Sequence, residues 1–501
     1  MVKCQIALFT EGQLNKDRLK EFEAMFNPQS IAIVGASSGR KMGGLAVRHL
    51  QLAGYQGKIF PVNPTEREIL GLKAYPSIRD IPDPVGYTII MVPAAAVLGV
   101  IDDCAAKGVK VVQLFTAGFS ETGEAEPTRL EREMVARARR AGIRLIGPNC
   151  AGISVPANLI PLETTGVIGQ PGDIAILAQS GGHTETLADV GLSRGIRFSK
   201  LISFGNACDL NAIDFLEYLK EDPETRIIAL YLEGITDGRR LLELLAEISP
   251  VKPVVLLKGG RTEAGREMAM SHTSSLAGSA AVWTAAMKQA GAIEVSTLEE
   301  MADTLMALQE LPPITGNRMA IVSQLGGGAG GAGVLAADVC TSLGLELPPF
   351  TGEIKDKLKS IVNYPGSILR NPLDMSLVGR QAALLRKVLE LLAGLPDIDL
   401  IMLNERPTFL LALVSEAELQ AINDVLVDFQ HSDKKPLVVV SPPGGVHEKE
   451  RVEVERRLTQ AGIPIYPSFE RAAKAITNVI GYWGVRDSLC RKTSDSESGN
   501  Y

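Results

Sequence analysis

Apolar positions along the chain fall into two alternating patterns. Short β-branched runs, too brief to be buried helices, alternate with stretches in which apolar residues recur every three to four positions. Three of the runs end in a Gly/Ser-rich turn: Ile31-Ala-Ile-Val-Gly35-Ala-Ser-Ser, Ile174-Ala-Ile-Leu-Ala-Gln-Ser180-Gly-Gly182 and Met319-Ala-Ile-Val-Ser-Gln-Leu-Gly326-Gly-Gly328. They start at a near-constant spacing, and each is followed by an Ala/Leu-rich helical stretch and then another apolar run. This is the βαβ alternation of parallel, doubly wound sheets, and it predicts an α/β protein of three such domains, at 26–155, 165–310 and 316–485. Strands are expected near 31–34, 58–61, 88–92, 109–114 and 144–146 in the first domain, and near 174–177, 227–232, 253–258 and 292–295 in the second. Leu311-Pro-Pro-Ile-Thr-Gly316 reads as the linker into the third, and the polar tail 491–501 as disordered.

Composition narrows the class. The chain has 501 residues, 46% apolar and 22% charged, enough to bury several cores. Its 51 basic against 58 acidic residues give a net charge of −7, which argues against a broad nucleic-acid surface while leaving room for a local anion pocket. The six cysteines are scattered, with no C-x-x-C pair and no Cys/His cluster, so neither a zinc site nor a disulfide framework is indicated and no metal ligands are assigned. Neither a signal peptide nor a membrane span is apparent, so a cytoplasmic location without membrane partners is expected.

The Gly-rich turns are the candidate binding places, because beyond the carboxyl end of a parallel strand a helix N-terminus and free N–H groups face an anion. The first turn, Gly35 to Gly44, is not G-x-G-x-x-G, and the second strand ends at Asn63-Pro64 with no acidic residue for a ribose hydroxyl, which disfavours NAD. Arg40 and Lys41 suit a ligand with an extra phosphate, a feature of both coenzyme A and NADP. No P-loop occurs. Of five histidines, His183 stands at a helix start after Ser180-Gly-Gly182. His272 stands in the small-residue segment Met270-Ser-His-Thr-Ser-Ser-Leu-Ala-Gly278, read as a loop, where hydroxyls and a helix dipole would stabilise phosphate carried on imidazole. Such a histidine needs a carboxylate or other acceptor to set its tautomer. Glu233, ending the run Ile227–Leu232, is the candidate; a plain surface glutamate is the alternative.

Taken in order, these motifs resemble the NDP-forming acyl-CoA synthetases, the superfamily of succinyl-CoA synthetase and ADP-forming acetyl-CoA synthetase, and specifically their alpha subunit. The likeness spans about residues 26 to 485. It rests on Gly54-Tyr-Gln-Gly-Lys-Ile-Phe-Pro-Val-Asn-Pro64, Thr116-Ala-Gly-Phe-Ser-Glu121, Gly147-Pro-Asn-Cys150, Gln179-Ser-Gly-Gly182, Gly205-Asn206, Glu233-Gly-Ile-Thr-Asp-Gly238, Ser271-His-Thr273 and Asn371-Pro-Leu-Asp374. The resemblance implies a Rossmann-like CoA-binding domain followed by two flavodoxin-like domains. It implies CoA phosphates at Gly35, Ala36, Ser37 and Lys41, with Asn63, Val92, Pro93, Thr116 and Gly118 lining the rest. His272 matches the phosphorylated histidine, Glu233 its supporting glutamate, and Ser180, Gly181, Gly182 and Asn206 the phosphoryl-binding helix start. Ser274 and Arg40 depart from the family pattern, where small residues are usual. The implied reaction is carboxylic acid + CoA + ATP giving acyl-CoA + ADP + phosphate. Nucleotide and Mg²⁺ would come from a separate ATP-grasp beta subunit, because no such module is evident here. The rival expectation is a CoA-binding regulatory or scaffolding protein of the same fold that has lost turnover; an NADP-dependent oxidoreductase is a third and weaker one.

Overall fold

A computed structural model describes residues 16–39, 41–161, 166–273, 280–324, 329–432, 434–444 and 447–498; side chains at 16–17, 270–273, 329–330 and 489–498 are outside the description. The chain divides into two compact units. Of the described residues, 16–192, 197–301 and 492–498 fall in the first, and 193–196 and 302–491 in the second.

Unit 1 contains two sheets. The first has strands β1 (Ser30–Val34), β2 (Lys58–Val62), β3 (Tyr87–Ile90), β4 (Val111–Leu114) and β5 (Arg144–Ile146), all parallel, in the order β2-β1-β3-β4-β5. Every residue of β1 is buried, as expected where helices cover both faces of a parallel sheet. The turn after β1 is held by close backbone approach. Gly35 has φ +97°, and a Cβ at Gly43, in helix α1 (Met42–Ala53), would stand 2.2 Å from the Gly35 carbonyl oxygen. Only glycine lets the helix begin there.

The second sheet has β6 (Gly152–Ser154), β7 (Pro171–Ala178), β8 (Phe198–Ser203), β9 (Ile227–Leu232), β10 (Val254–Lys258) and β11 (Ile293–Val295), in the order β11-β10-β9-β7-β8-β6. Only the edge strand β6 runs antiparallel. Helix α2 (Gly181–Ser193) leaves the end of β7, and α3 (Glu263–Thr273) follows β10.

Unit 2 repeats the plan with β12 (Met319–Ser323), β13 (Ile368–Leu369), β14 (Leu373–Asp374), β15 (Leu400–Asn404), β16 (Leu437–Val440) and β17 (Ile465–Tyr466), in the order β13-β14-β12-β15-β16-β17. One core cluster fills one face of this sheet, through Val322, Leu403 and Val439 among others. Helix α4 (Glu448–Gln460) follows β16, and helix α5 (Phe469–Ser498) ends the described chain.

Two expectations change. Residues 491–498, expected to be disordered, continue α5; an established helix extends through polar residues at little cost per residue, because the nucleation penalty has already been met. Residues 499–501 lie outside the described residues. The segment around His272, expected as a loop, is helical up to Thr273. Thr262 starts this helix, its hydroxyl accepting the Gly265 N–H at 3.1 Å. The helix formers Glu263, Ala264, Arg266, Glu267, Met268, Ala269 and Met270 then carry it through Ser271-His272-Thr273. Residues 274–279, Ser274 among them, lie outside the described residues, as does Arg40.

Candidate active site

Unit 1 holds a cavity of about 950 Å³ where the carboxyl ends of the first two sheets meet. Its walls include Val92, Pro93 and Thr116 from the first sheet, and Ser180, Gly181, Gly182, Asn206 and Glu233 from the second. Eight of the residues singled out from the sequence thus converge on one hollow, although they span more than 140 positions.

At the β7 end, Ser180 caps helix α2. Its hydroxyl accepts the His183 N–H at 3.3 Å and lies 2.9 Å from His183 Nδ1, while its carbonyl accepts the Thr184 hydroxyl at 2.9 Å. The N-terminal N–H groups of Gly181 and Gly182 are on the cavity wall, where the helix dipole favours an anion. The His183 ring stacks on Tyr231, centroids 4.5 Å apart and planes 17° from parallel. Tyr231 in turn donates its hydroxyl to Glu233 Oε1 at 3.2 Å. Burial raises the Tyr231 phenol well above its usual value, with Glu233 adding to the rise, so the hydroxyl stays protonated and keeps donating.

Glu233 is fixed through its backbone. Gln179 Oε1 accepts the N–H groups of both Glu233 and Gly234, the latter at 3.0 Å. Lys258 Nζ donates to the Glu233 carbonyl at 2.6 Å and also to the Gly259 carbonyl. Burial lowers the Lys258 ammonium, opposed in part by the Glu233 charge. The carboxylate is left with the tyrosine as its one described hydrogen-bond donor, and it faces the cavity.

Two carboxylates that do not themselves line the cavity, Glu121 and Glu131, brace Asn206. Asn206 Nδ2 donates to Glu121 Oε2 at 2.5 Å and to Glu131 Oε2 at 3.1 Å. Burial alone would raise the Glu121 carboxyl, yet Asn206 and the N–H groups of Gly118 and Phe119 hold it below the ordinary glutamate range. The Thr116 hydroxyl donates to the Val92 carbonyl at 2.7 Å. Burial pushes the Cys150 thiol, also on the wall, up to about 12, which removes it as a nucleophile near neutral pH.

Five of the remaining expected residues belong to the β1 turn or brace it, off this wall. Gly35, Ala36 and Ser37 form the turn, and Lys41 precedes α1 with its side chain exposed. Asn63 Nδ2 donates to the Ala36 carbonyl at 2.7 Å, so the asparagine braces the turn. The Ser37 hydroxyl is buried without a partner, a feature that fits an incoming acceptor. Next to it, the Glu66 carboxylate takes the Ser38 N–H at 3.0 Å and the Ser38 hydroxyl. Gly118 lies at a positive-φ turn donating to Glu121. The His272 side chain is outside the described residues, but Gly265, Met268 and Ala269 of the same helix line the cavity. Sequence reasoning missed Gln179, Tyr231, Lys258 and Glu121 as supporting groups. Gln179 and Glu121 stood inside motifs already noticed, which was the one available signal.

Comparison with known proteins bears on the family and the fold. A CoA binding domain family matches residues 29–156, and a succinyl-CoA ligase like flavodoxin domain family matches 171–308. The alpha subunit of acetate–CoA ligase [ADP-forming] I from Pyrococcus furiosus is 37% identical over 464 residues, covering 91% of this chain and 96% of that subunit. The isoenzyme II alpha subunit of the same organism is 39% identical over 457 residues, covering 90% and 95%. The chain belongs to the alpha-subunit family of ADP-forming acetate–CoA ligases. Members of that family are acid–thiol ligases. An acetyl-coenzyme A synthetase from Ca. Korarchaeum cryptofilum, solved with phosphate and ADP, superposes on this ligase chain with a TM-score of 0.81 at 34% identity, covering 94% of this chain and 98% of that one. Among the described residues no helix is long and apolar enough to cross a membrane.

Proposed function

We propose that this ligase chain carries phosphate on His272 between a nucleotide-binding partner and a carboxylic acid, in acid + CoA + ATP ⇌ acyl-CoA + ADP + phosphate. The observation that carries the reading is the cavity, where the start of α2, the Glu233 carboxylate and the Val92–Thr116 edge of the CoA-binding sheet meet on a wall that includes Met268 and Ala269 of α3. Position 272 follows those residues by four and three steps, which is the same face of a helix.

The chemistry follows from leaving groups. A thiol does not displace oxide from a free carboxylate at a useful rate, so the acid must first be activated. An imidazole nitrogen of His272 attacks the γ-phosphorus of ATP and ADP leaves; a carboxylate oxygen of the substrate then takes the phosphoryl group and frees the imidazole. The CoA sulfur attacks the acyl carbon of the acyl phosphate, and inorganic phosphate departs. Glu233 accepts the second ring N–H, which fixes the tautomer and stabilises the cation formed on phosphorylation. The N–H groups of Gly181 and Gly182 bind the phosphoryl oxygens. Ser37, the Gly35–Ala36 turn and Lys41 receive the coenzyme phosphates, and Asn63, Val92, Pro93, Thr116 and Gly118 shape the rest of its path.

ATP and Mg²⁺ enter through an ATP-grasp subunit. An acetate–CoA ligase [ADP-forming] from Methanocaldococcus jannaschii supports this, since its match to this chain takes up only 49% of its own length. The test is to mix the chain with an ATP-grasp subunit and Mg-ATP labelled in the γ-phosphate. Acid-labile, base-stable label should appear on the protein and be absent in His272→Ala. Undiminished label in that variant overturns the relay.

A further inference from the structure

The sheet of unit 2 ends in a row of buried oxygens that nothing in the described structure satisfies. The backbone ladder runs one residue past the strands: the Gln324 N–H donates to the Asn404 carbonyl at 3.3 Å, Glu405 to Val440 at 2.9 Å and Ser441 to Tyr466 at 2.8 Å. Gln324, Glu405 and Ser441 therefore form one register row across β12, β15 and β16, with neighbouring strands about 4.8 Å apart. By strand alternation they stand on the same face as Val322, Leu403 and Val439, one step above the core.

All three are buried, at 1%, 0% and 2% exposure. Gln324 Oε1, both Glu405 carboxylate oxygens and Ser441 Oγ have no hydrogen-bond partner among the described residues. The amide of Gln324 cannot turn round to donate. Its Nε2 is bound to the Gly379 carbonyl at 3.1 Å, and Gly379 sits so close that a Cβ there would stand 1.5 Å from the Gln324 carbonyl oxygen. Glu448 and Glu455 share the single guanidinium of Arg451, and Glu455 acts on Glu405 as a like charge.

Four oxygens, two of them in the one carboxyl group of Glu405, ask for something positive. A proton on Glu405 satisfies one acceptor and leaves the others bare; orphaned buried acceptors each carry a desolvation cost. The donor set is all oxygen, which excludes a zinc-type site, and one carboxylate among neutral ligands is too little charge for a dedicated calcium site. We propose that Gln324, Glu405 and Ser441 bind a monovalent metal cation at the carboxyl edge of the unit 2 sheet.

The experiment compares melting of the full chain in potassium, sodium and choline chloride at equal ionic strength, at a pH near 8. Potassium or sodium should raise Tm over choline by roughly 2–4 °C, as expected for a ligand bound only by the folded state. Glu405→Gln, which keeps the shape and removes the charge, should erase that difference. Equal melting in choline, or a cation-specific rise that survives in Glu405→Gln, overturns the proposal. Crystals of the unaltered chain soaked in rubidium chloride give a second reading that does not depend on any variant folding. An anomalous peak touching Glu405 and Ser441 is expected, and its absence at full soaking overturns the site.

Discussion

The sheets of the second half of unit 1 and of unit 2 use the same strand plan, yet their carboxyl edges are finished in opposite ways. In unit 1, Gln179 N–H meets the Tyr231 carbonyl at 3.3 Å, and in unit 2 the Gln324 N–H meets the Asn404 carbonyl at the same distance, so the two glutamines are register equivalents. From there the designs part. Gln179 spends its side-chain oxygen on two backbone N–H groups and thereby sets Glu233 at the wall of an open cavity. Gln324 keeps its oxygen bare, beside a carboxylate that is wholly buried. A polar strand end can thus either be internally satisfied and present one charged group to a substrate, or be left unsatisfied in a closed place that suits an ion.

The largest effect that tests this contrast is expected at Glu233. Glu233→Gln retains the Tyr231 contact but removes the charge that supports an imidazolium, and phosphoenzyme formation should slow by about 100-fold or more with little change in Tm. A slowing under about fivefold, read by rapid quench with labelled Mg-ATP, assigns Glu233 to structure only. The opposite edge should respond to pH instead. Burial raises the Glu405 carboxyl to about 8, with Glu455 contributing as a like charge. The folded state therefore binds a proton that the unfolded state, at about 4.3, has already released, and stability is lost as pH rises from the unfolded value through 8. In choline buffer the Tm of the unaltered chain should fall across that window by several degrees relative to Glu405→Gln, and potassium should flatten the slope. Parallel melting curves at every pH contradict the burial argument.

Smaller effects are expected from the supports. Gln179→Ala leaves two part-buried N–H groups without their acceptor and should cost about 1–3 kcal/mol, read as a lowered denaturant midpoint, together with a drop in kcat as Glu233 loosens. Ser180→Ala removes the α2 cap and should cost about 1 kcal/mol. Its kcat should fall less than that of Gln179→Ala; the reverse order means that the helix start, rather than the glutamate anchor, limits the reaction.

Much of the architecture was legible because parallel strands buried on both faces read as unbroken apolar runs, as in Ile31–Val34 and Ile227–Leu232. Strand Phe198–Ser203 escaped notice because it carries Lys200. That lysine is only 2% exposed, and its charge is met by Asp222 and Glu224, each at 2.7 Å, a compensation from outside the strand that no local pattern reveals. Glu233 could be picked out as an acid ending a strand. Its fastening to Gln179, 54 positions earlier, depends on strand order, and so did the stacking of His183 on Tyr231. The helix through His272 is hidden in the sequence because the small residues Ser271 and Thr273 blur the pattern set by the helix formers before them.

The carboxylate of Glu66 on the Ser38 turn has a consequence of its own. It is an internal counterfeit of an anionic ligand, holding the turn's donors in shape when nothing else occupies them. A phosphate arriving there gains only the margin by which it outbids that tenant, and the displaced side chain regains its freedom and its hydration. On the proposed reading, coenzyme affinity at this turn is an exchange constant between two anions, tuned by a residue that need never touch the bound coenzyme.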